Sequence, residues 1–184
     1  MRLFTGIDLP EGIKDNLDRV IAAFRPAAKI GWNSRKNFHI TTKFIGEWPE
    51  ERLAELKGAL SALPSRDLIE IGVRGLGWFP NPRSPRVFWA GVVAPAELAE
   101  LARETDEALA RFGVPPESRA FSPHLTLARI RQPVPLAALH AAIAKLSSDE
   151  FGAFRAERFS LFLSELQPSG SVYTKLGDFP FARS

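Results

Sequence analysis

The chain has 184 residues, a length that suits one well-packed domain or two small lobes sharing an interface. With 45% hydrophobic and 24% charged residues it has the balance of an ordinary globular protein, and no apolar run is long enough to span a bilayer. It has no cysteine, which excludes disulfides, thiolate nucleophiles and cysteine zinc sites, and its net charge of +3 permits a nucleic-acid partner without demanding one.

Residues 2–9 alternate weakly and stop at Pro10, which predicts a first strand rather than a signal peptide and hence a cytoplasmic protein. Ile13, Leu17, Val20, Ile21 and Phe24 recur at helical spacing, so 11–24 is a helix, bracketed at its end by Pro26 and Gly31. Residues 38–45 read as a strand. Pro49 opens a second helix carrying Leu53, Leu56 and Leu60, and Pro64 closes it. Residues 67–79 alternate but contain Gly72, Gly75 and Gly77, which predicts a bent strand. A proline-rich loop, 79–85, precedes a strongly β run over 86–93. Pro95 opens a third helix to about Phe112, residues 121–130 form another strand, and a fourth helix follows Pro135 to about Leu146. Strands near 153–164 and 171–176 complete the chain. Strand, helix and strand recur in both halves, which predicts an α+β fold with a weak internal duplication and antiparallel sheets. No low-complexity linker divides the chain, so residues 1–184 are expected to form one bilobal domain.

The chemistry lies in a repeated tetrad, His39-Ile40-Thr41-Thr42 and His124-Leu125-Thr126-Leu127. Side chains alternate faces along a strand, so each histidine shares a face with the threonine two residues on. Two such pairs can converge on one small anion. Phosphodiester hydrolysis needs a base for the nucleophile, an acid for the leaving oxygen and donors for the charged oxygens. Two histidines and two hydroxyls supply all of these. A single His-x-Thr on a strand is common and is more often structural than catalytic; the matched second copy is what argues for a shared site. His140, on the fourth helix and outside such a context, reads as structural or surface.

A metal centre is the rival chemistry, with the histidines joined by Asp8 or a glutamate. The sequence has no His-Glu-x-x-His and no clustered carboxylates, so neither a metal nor a cofactor is expected. It also has no Walker loop and no dinucleotide glycine fingerprint. Arg35, Lys36 and Lys43 lie near the first tetrad and Arg119, Arg129 and Arg131 near the second. Composition alone favours reading them as a solvated, mildly basic surface.

The segments Arg2-Leu3-Phe4 to Ile7-Asp8-Leu9-Pro10, Trp32, Phe38-His39-Ile40-Thr41, Phe44-Ile45-Gly46-Glu47, Gly77-Trp78-Phe79-Pro80, Arg86-Val87-Phe88-Trp89-Ala90-Gly91 and Phe121 to Arg129 together resemble one family. The chain is similar over nearly its whole length to the 2H phosphoesterases, specifically the bacterial RNA 2′,3′-cyclic phosphodiesterases, also called 2′-5′ RNA ligases. The resemblance implies two pseudo-symmetric lobes, each an antiparallel sheet backed by helices, around a central cleft. It implies metal-free hydrolysis of 2′,3′-cyclic phosphates at RNA ends, or in nucleotides, to 2′-phosphates. It makes His39 the proton donor and His124 the proton acceptor, with Thr41 and Thr126 on the phosphate oxygens and Arg129 lining the site. A monomer without a membrane partner is expected. Alternatives are 2′-5′ joining of RNA by the same site, and a nucleotide- or RNA-binding module without turnover.

Strict alternation places Arg129 on the face opposite His124, so it must reach around the strand end or lie past a bulge. Phe44 is likewise out of phase with His39. It could bind substrate by stacking on a base, but alternation favours the core. Thr42 should face away from the phosphate.

Overall fold

The first strand, buried on both faces, lies inside one sheet, and the second tetrad strand lies inside another. The structure, a computed structural model, describes residues 1–182. Strands β1 (Arg2–Asp8), β3 (His39–Glu47), β8 (Arg158–Gln167) and β9 (Gly170–Pro180) form one antiparallel sheet in the order β3-β1-β8-β9. Strands β2 (Gly31–Trp32), β4 (Ile69–Phe79), β5 (Val87–Val93), β6 (His124–Arg129) and β7 (Glu150–Ala156) form the other, in the order β2-β6-β5-β4-β7. The expected α+β class with antiparallel sheets is what the chain adopts.

The helices α1 (Glu11–Phe24), α2 (Leu53–Ser61), α3 (Ala96–Ala110) and α4 (Ala137–Ala144) cover the outer faces. In α1 the apolar stripe Ile13, Leu17, Ile21 and Phe24 is buried, and the helix gives way to a 3-10 turn, Arg25–Ala27, at Pro26. A second 3-10 turn, Glu50–Arg52, precedes α2, so that helix starts later than Pro49 suggests. A continuous core cluster joins Leu3, Ile7 and Ile40 to Phe88, Leu125 and Leu139.

The halves exchange parts. Strand β4 of the first half pairs with β5, and β8 of the second half pairs with β1. The first helix of each half also crosses over: α1 packs on β7 and α4 of the five-stranded sheet, and α3 packs on β3 and α2 of the four-stranded one. The run near 153–164, read from sequence without an interruption, is two strands of different sheets, parted at Glu157. The two-residue β2 carried no sequence signal.

Two local irregularities position the site. Gly75, at φ +79°, sits where β4 shifts register against β5, which accounts for the bend. Strands β3 and β6 each carry a bulge just after the tetrad threonine. Thr5 pairs with Lys43 and Gly6 with Thr41, leaving Thr42 as an extra residue. Phe88 pairs with Ala128 and Trp89 with Thr126, leaving Leu127 as the extra residue.

Candidate active site

Strands β3 and β6 approach one another across the gap between the sheets. The segment between β2 and β3 bridges them. Asn33 donates through its backbone N–H to Leu127 O (2.8 Å) and through its side chain to Thr126 O (3.0 Å). Asn37 donates to Ser171 O of β9 at 2.7 Å. Both tetrad strands are thus tied to one connector.

The two histidines are held in the same way. His39 Nδ1 lies 2.7 Å from Asn37 O and His124 Nδ1 lies 2.8 Å from Ser122 O, in each case the carbonyl two residues upstream. A carbonyl can only accept, so Nδ1 carries the proton in both rings and Nε2 is the working nitrogen. His39 Nε2 lies 2.8 Å from Thr41 Oγ1; in the neutral ring it accepts the hydroxyl proton.

The surroundings differ. The His39 ring is walled by Phe4 (centroids 4.6 Å apart), Tyr173 (5.2 Å) and Phe162 (6.1 Å). This desolvation lowers its pKa to about 4, against the opposing pull of the Asn37 carbonyl and Asp8, with the positive charge of Arg129 lowering it further. His39 is therefore neutral near pH 7 in the empty site. Arg129 and His124 both lie on β6, the strand that approaches β3. His124 meets the edge of Phe79 at 4.9 Å, and Phe79 in turn packs on Trp89 at 5.2 Å.

The bulges break strict alternation on both tetrad strands. Thr42 and Lys43 are both buried, as are Leu127 and Ala128, so the next residue on each strand returns to the tetrad face. Phe44 is 46% exposed rather than in the core. It pairs with Phe4, which stacks on His39, and the Arg2 guanidinium lies over its ring at 5.2 Å. Arg129 regains the phase of His124 and Thr126 by the same device. Thr42 faces away, its hydroxyl bonded to that of Thr5 at 2.8 Å within the core.

Some sequence candidates are placed elsewhere. Lys43 is buried with Asp106 (2.7 Å), Glu117 (3.1 Å) and Pro115 O (2.9 Å) as partners, so its charge is neutralised within the fold. Arg35 is paired with Glu11 and Asp15. Asp8 pairs with Lys14 at 2.9 Å. His140 is exposed on α4 against Trp78. Among the described residues, no group of three or more His, Asp or Glu side chains could hold a metal ion.

Sequence reasoning did not single out Gly6, Phe4, Phe79 or Tyr173 as site residues. A Cβ on Gly6 would lie 2.8 Å from Ile40 O and 3.3 Å from the His39 ring, so glycine is what lets the ring lie flat on β1. The aromatic walls belong to strands whose pairing is long-range, and local pattern does not reveal it.

Comparison with known proteins gives a consistent result. The chain is 35% identical over 181 residues to a protein of Methanothermobacter thermautotrophicus named RNA 2′,3′-cyclic phosphodiesterase, covering 97% of this chain and 98% of that one. It is 37% identical to one of the same name from Methanocaldococcus jannaschii, covering 94% and 96%. Among solved structures, TT0787 of Thermus thermophilus matches with a TM-score of 0.83 at 30% identity, covering 98% of each chain. The family described as LigT like Phosphoesterase matches twice, over residues 7–89 and 92–173, once for each half of the duplication. The chain therefore belongs to the LigT-like phosphoesterase family.

Proposed function

We propose that this protein hydrolyses 2′,3′-cyclic phosphates at RNA ends to 2′-phosphomonoesters, without a metal. The observation that carries the reading is the pair of histidines with identical Nδ1 anchoring and Nε2 left as the working atom. The relatives named RNA 2′,3′-cyclic phosphodiesterase support the same substrate.

The phosphate lies between the two Nε2 atoms, and Thr41, Thr126 and Arg129 hold its charged oxygens. Neutral His124 takes a proton from water as the water oxygen bonds to phosphorus. The bond from phosphorus to the 3′ oxygen breaks in line, and His39 gives that oxygen its proton. His39 must first be protonated, although its pKa in the empty site is about 4. The substrate's negative charge between the rings supplies the shift, because an opposite charge favours the charged form. Once Nε2 carries a proton it no longer accepts from Thr41, and the hydroxyl is released to donate to the phosphate. Substrate binding thus arms the acid and frees the donor together. Phe44 offers an exposed ring on the same face for the base.

We read residues 1–184 as one bilobal unit acting as a monomer, because each half contributes a strand and a helix to the other's layer. A cytoplasmic location is part of the same proposal, in keeping with an RNA substrate. Among the described residues no helix is long and apolar enough to cross a membrane.

The test is turnover of a 2′,3′-cyclic nucleotide in excess chelator, with the product's phosphate located by phosphorus NMR. A 2′-phosphate is expected. A predominantly 3′-phosphate product reverses the roles of the histidines, and activity lost in chelator but restored by a divalent cation rejects the metal-free mechanism.

A further inference from the structure

Exposed arginines without an ion pair among the described residues, such as Arg2, Arg19, Arg25, Arg111 and Arg119, are scattered over the protein, and others, such as Arg35 and Arg155, are paired with a carboxylate. One group is gathered rather than scattered. Among the described residues, Arg83, Arg86, Arg129 and Arg131 are exposed and have no ion pair. The sequence explains why: neither 75–96 nor 118–148 contains an Asp or Glu. The backbone then brings these arginines to one end of the five-stranded sheet. Val87 pairs with Arg129, Ile130 N donates to Arg86 O at 2.9 Å, and Arg86 N donates to Phe79 O at 2.6 Å. The loop carrying Arg83 and Arg86 is thereby joined to the end of β6 that carries Arg129 and Arg131.

Unneutralised like charges kept close together repel one another and destabilise the free protein, which suits a surface whose counter-charge arrives with a ligand. The strip also begins at the site. Arg129 lies on β6 with His124 and Thr126, whereas Arg131 is seven residues from His124, about 23 Å along an extended chain. A mononucleotide seated between the histidines does not reach its far end. Phe79, packed on Trp89 and edge-on to His124, lies beside this track and joins it to the second histidine.

We propose that the strip running from Arg129 through Arg131 to Arg86 and Arg83 binds the backbone phosphates of the RNA lying 5′ of the reacting terminal nucleotide. The identity of the reacting end rests on the phosphodiesterase reading above; the strip itself rests on charge and placement. It makes an RNA end, rather than a free cyclic nucleotide, the preferred substrate.

The test compares wild type with the triple variant Arg83→Gln, Arg86→Gln, Arg131→Gln, leaving Arg129 in place. The substrates are a 2′,3′-cyclic mononucleotide and a short single-stranded oligoribonucleotide ending in the same cyclic phosphate. The expected result is a KM for the oligonucleotide raised roughly tenfold or more, with mononucleotide hydrolysis unchanged. The slope of log affinity against log salt for the oligonucleotide falls by about two, at roughly 0.7 for each phosphate that no longer meets an arginine. Equal effects on both substrates, or none on the oligonucleotide, overturn the proposal. Fluorescence anisotropy with the same oligonucleotide carrying a plain 3′-hydroxyl reads binding without turnover. If neither cyclic substrate is hydrolysed by wild type, the phosphodiesterase reading fails, and this binding measurement still decides the strip. Competition by polyglutamate as effective as that by RNA shows a general polyanion surface and overturns the RNA assignment.

Discussion

Phe44 and Arg129 occupy the same position in the two halves of the protein. Each stands three residues after its tetrad threonine, and each is turned onto the tetrad face by a single extra residue, Thr42 in β3 and Leu127 in β6. A nearly two-fold site thus carries a ring on one side and a cation on the other. The pair of histidines is symmetric in its anchoring, so in the proposed reaction the difference between the ribose oxygens falls to its unlike neighbours.

Replacing Arg129 should separate two effects. Arg129→Gln removes a charge that lowers the His39 pKa, so the His39 titration in the free protein moves upward from about 4, as followed by NMR of the ring. It also removes a charge-assisted bond to the phosphate, and kcat/KM falls by about 1–3 kcal/mol of transition-state stabilisation. A lower His39 pKa in the variant would contradict the placement of Arg129.

The histidines and threonines should differ in scale. His39→Ala and His124→Ala each lose on the order of a hundredfold or more in rate, and the wild-type profile against pH is bell-shaped with values belonging to the pair. Thr41→Val and Thr126→Val lose less, about 1–3 kcal/mol each. Single-turnover rates of correctly folded variants check this; near-wild-type rates in both histidine variants reject a two-histidine mechanism.

Burial of His39 makes folding pH-dependent. Its folded pKa of about 4 lies below the ordinary value of about 6.5, so the unfolded chain takes up the proton first as pH falls. The stability tied to neutral His39 is therefore fully present above about pH 6.5, lost progressively down to about pH 4, and absent below, an amount on the order of 3 kcal/mol. Urea unfolding of wild type and His39→Gln across this range isolates the contribution. Parallel stability curves for the two proteins would show that the ring is not desolvated.

Gly6→Ala tests the seat of the first histidine. The new methyl meets Ile40 O at 2.8 Å and the ring at 3.3 Å, so β1 and β3 must part or the ring must tilt. Overpacking of this kind costs typically about 1–3 kcal/mol, and a ring displaced by about 1 Å loses roughly a hundredfold in rate. Thermal unfolding and kcat read the two effects separately; a variant unchanged in both removes any special role from this glycine.

The sequence was most legible where structure follows local pattern. The spacing of Ile13, Leu17, Ile21 and Phe24 set the bounds of α1, and the two tetrads sit on strands as alternation requires. It was least legible at Phe44, read as core, because a bulge is a property of the pairing between strands and leaves no mark in single-strand periodicity; for Arg129 a bulge was one of two routes the alternation left open, and it is the one found. The same limit hid the aromatic wall of Phe4, Phe162 and Tyr173, assembled from three strands far apart in the chain. Composition also read Lys43 as part of a solvated basic surface, whereas it is buried against Asp106 and Glu117, because composition says nothing about which cations the fold neutralises.

The reciprocal exchange of β4 and β8, and of α1 and α3, has an architectural consequence. A chain ending after β4 would own the edge strand β3 that carries the first histidine and its neighbour β1, but not β8 or β9, which complete that sheet. Neither half therefore closes its own layer: each depends on a strand and a helix of the other, so the two tetrads are held in one body by the crossing chain and not by a linker. The equivalent positions of the two halves are then free to carry unlike side chains, phenylalanine in one and arginine in the other.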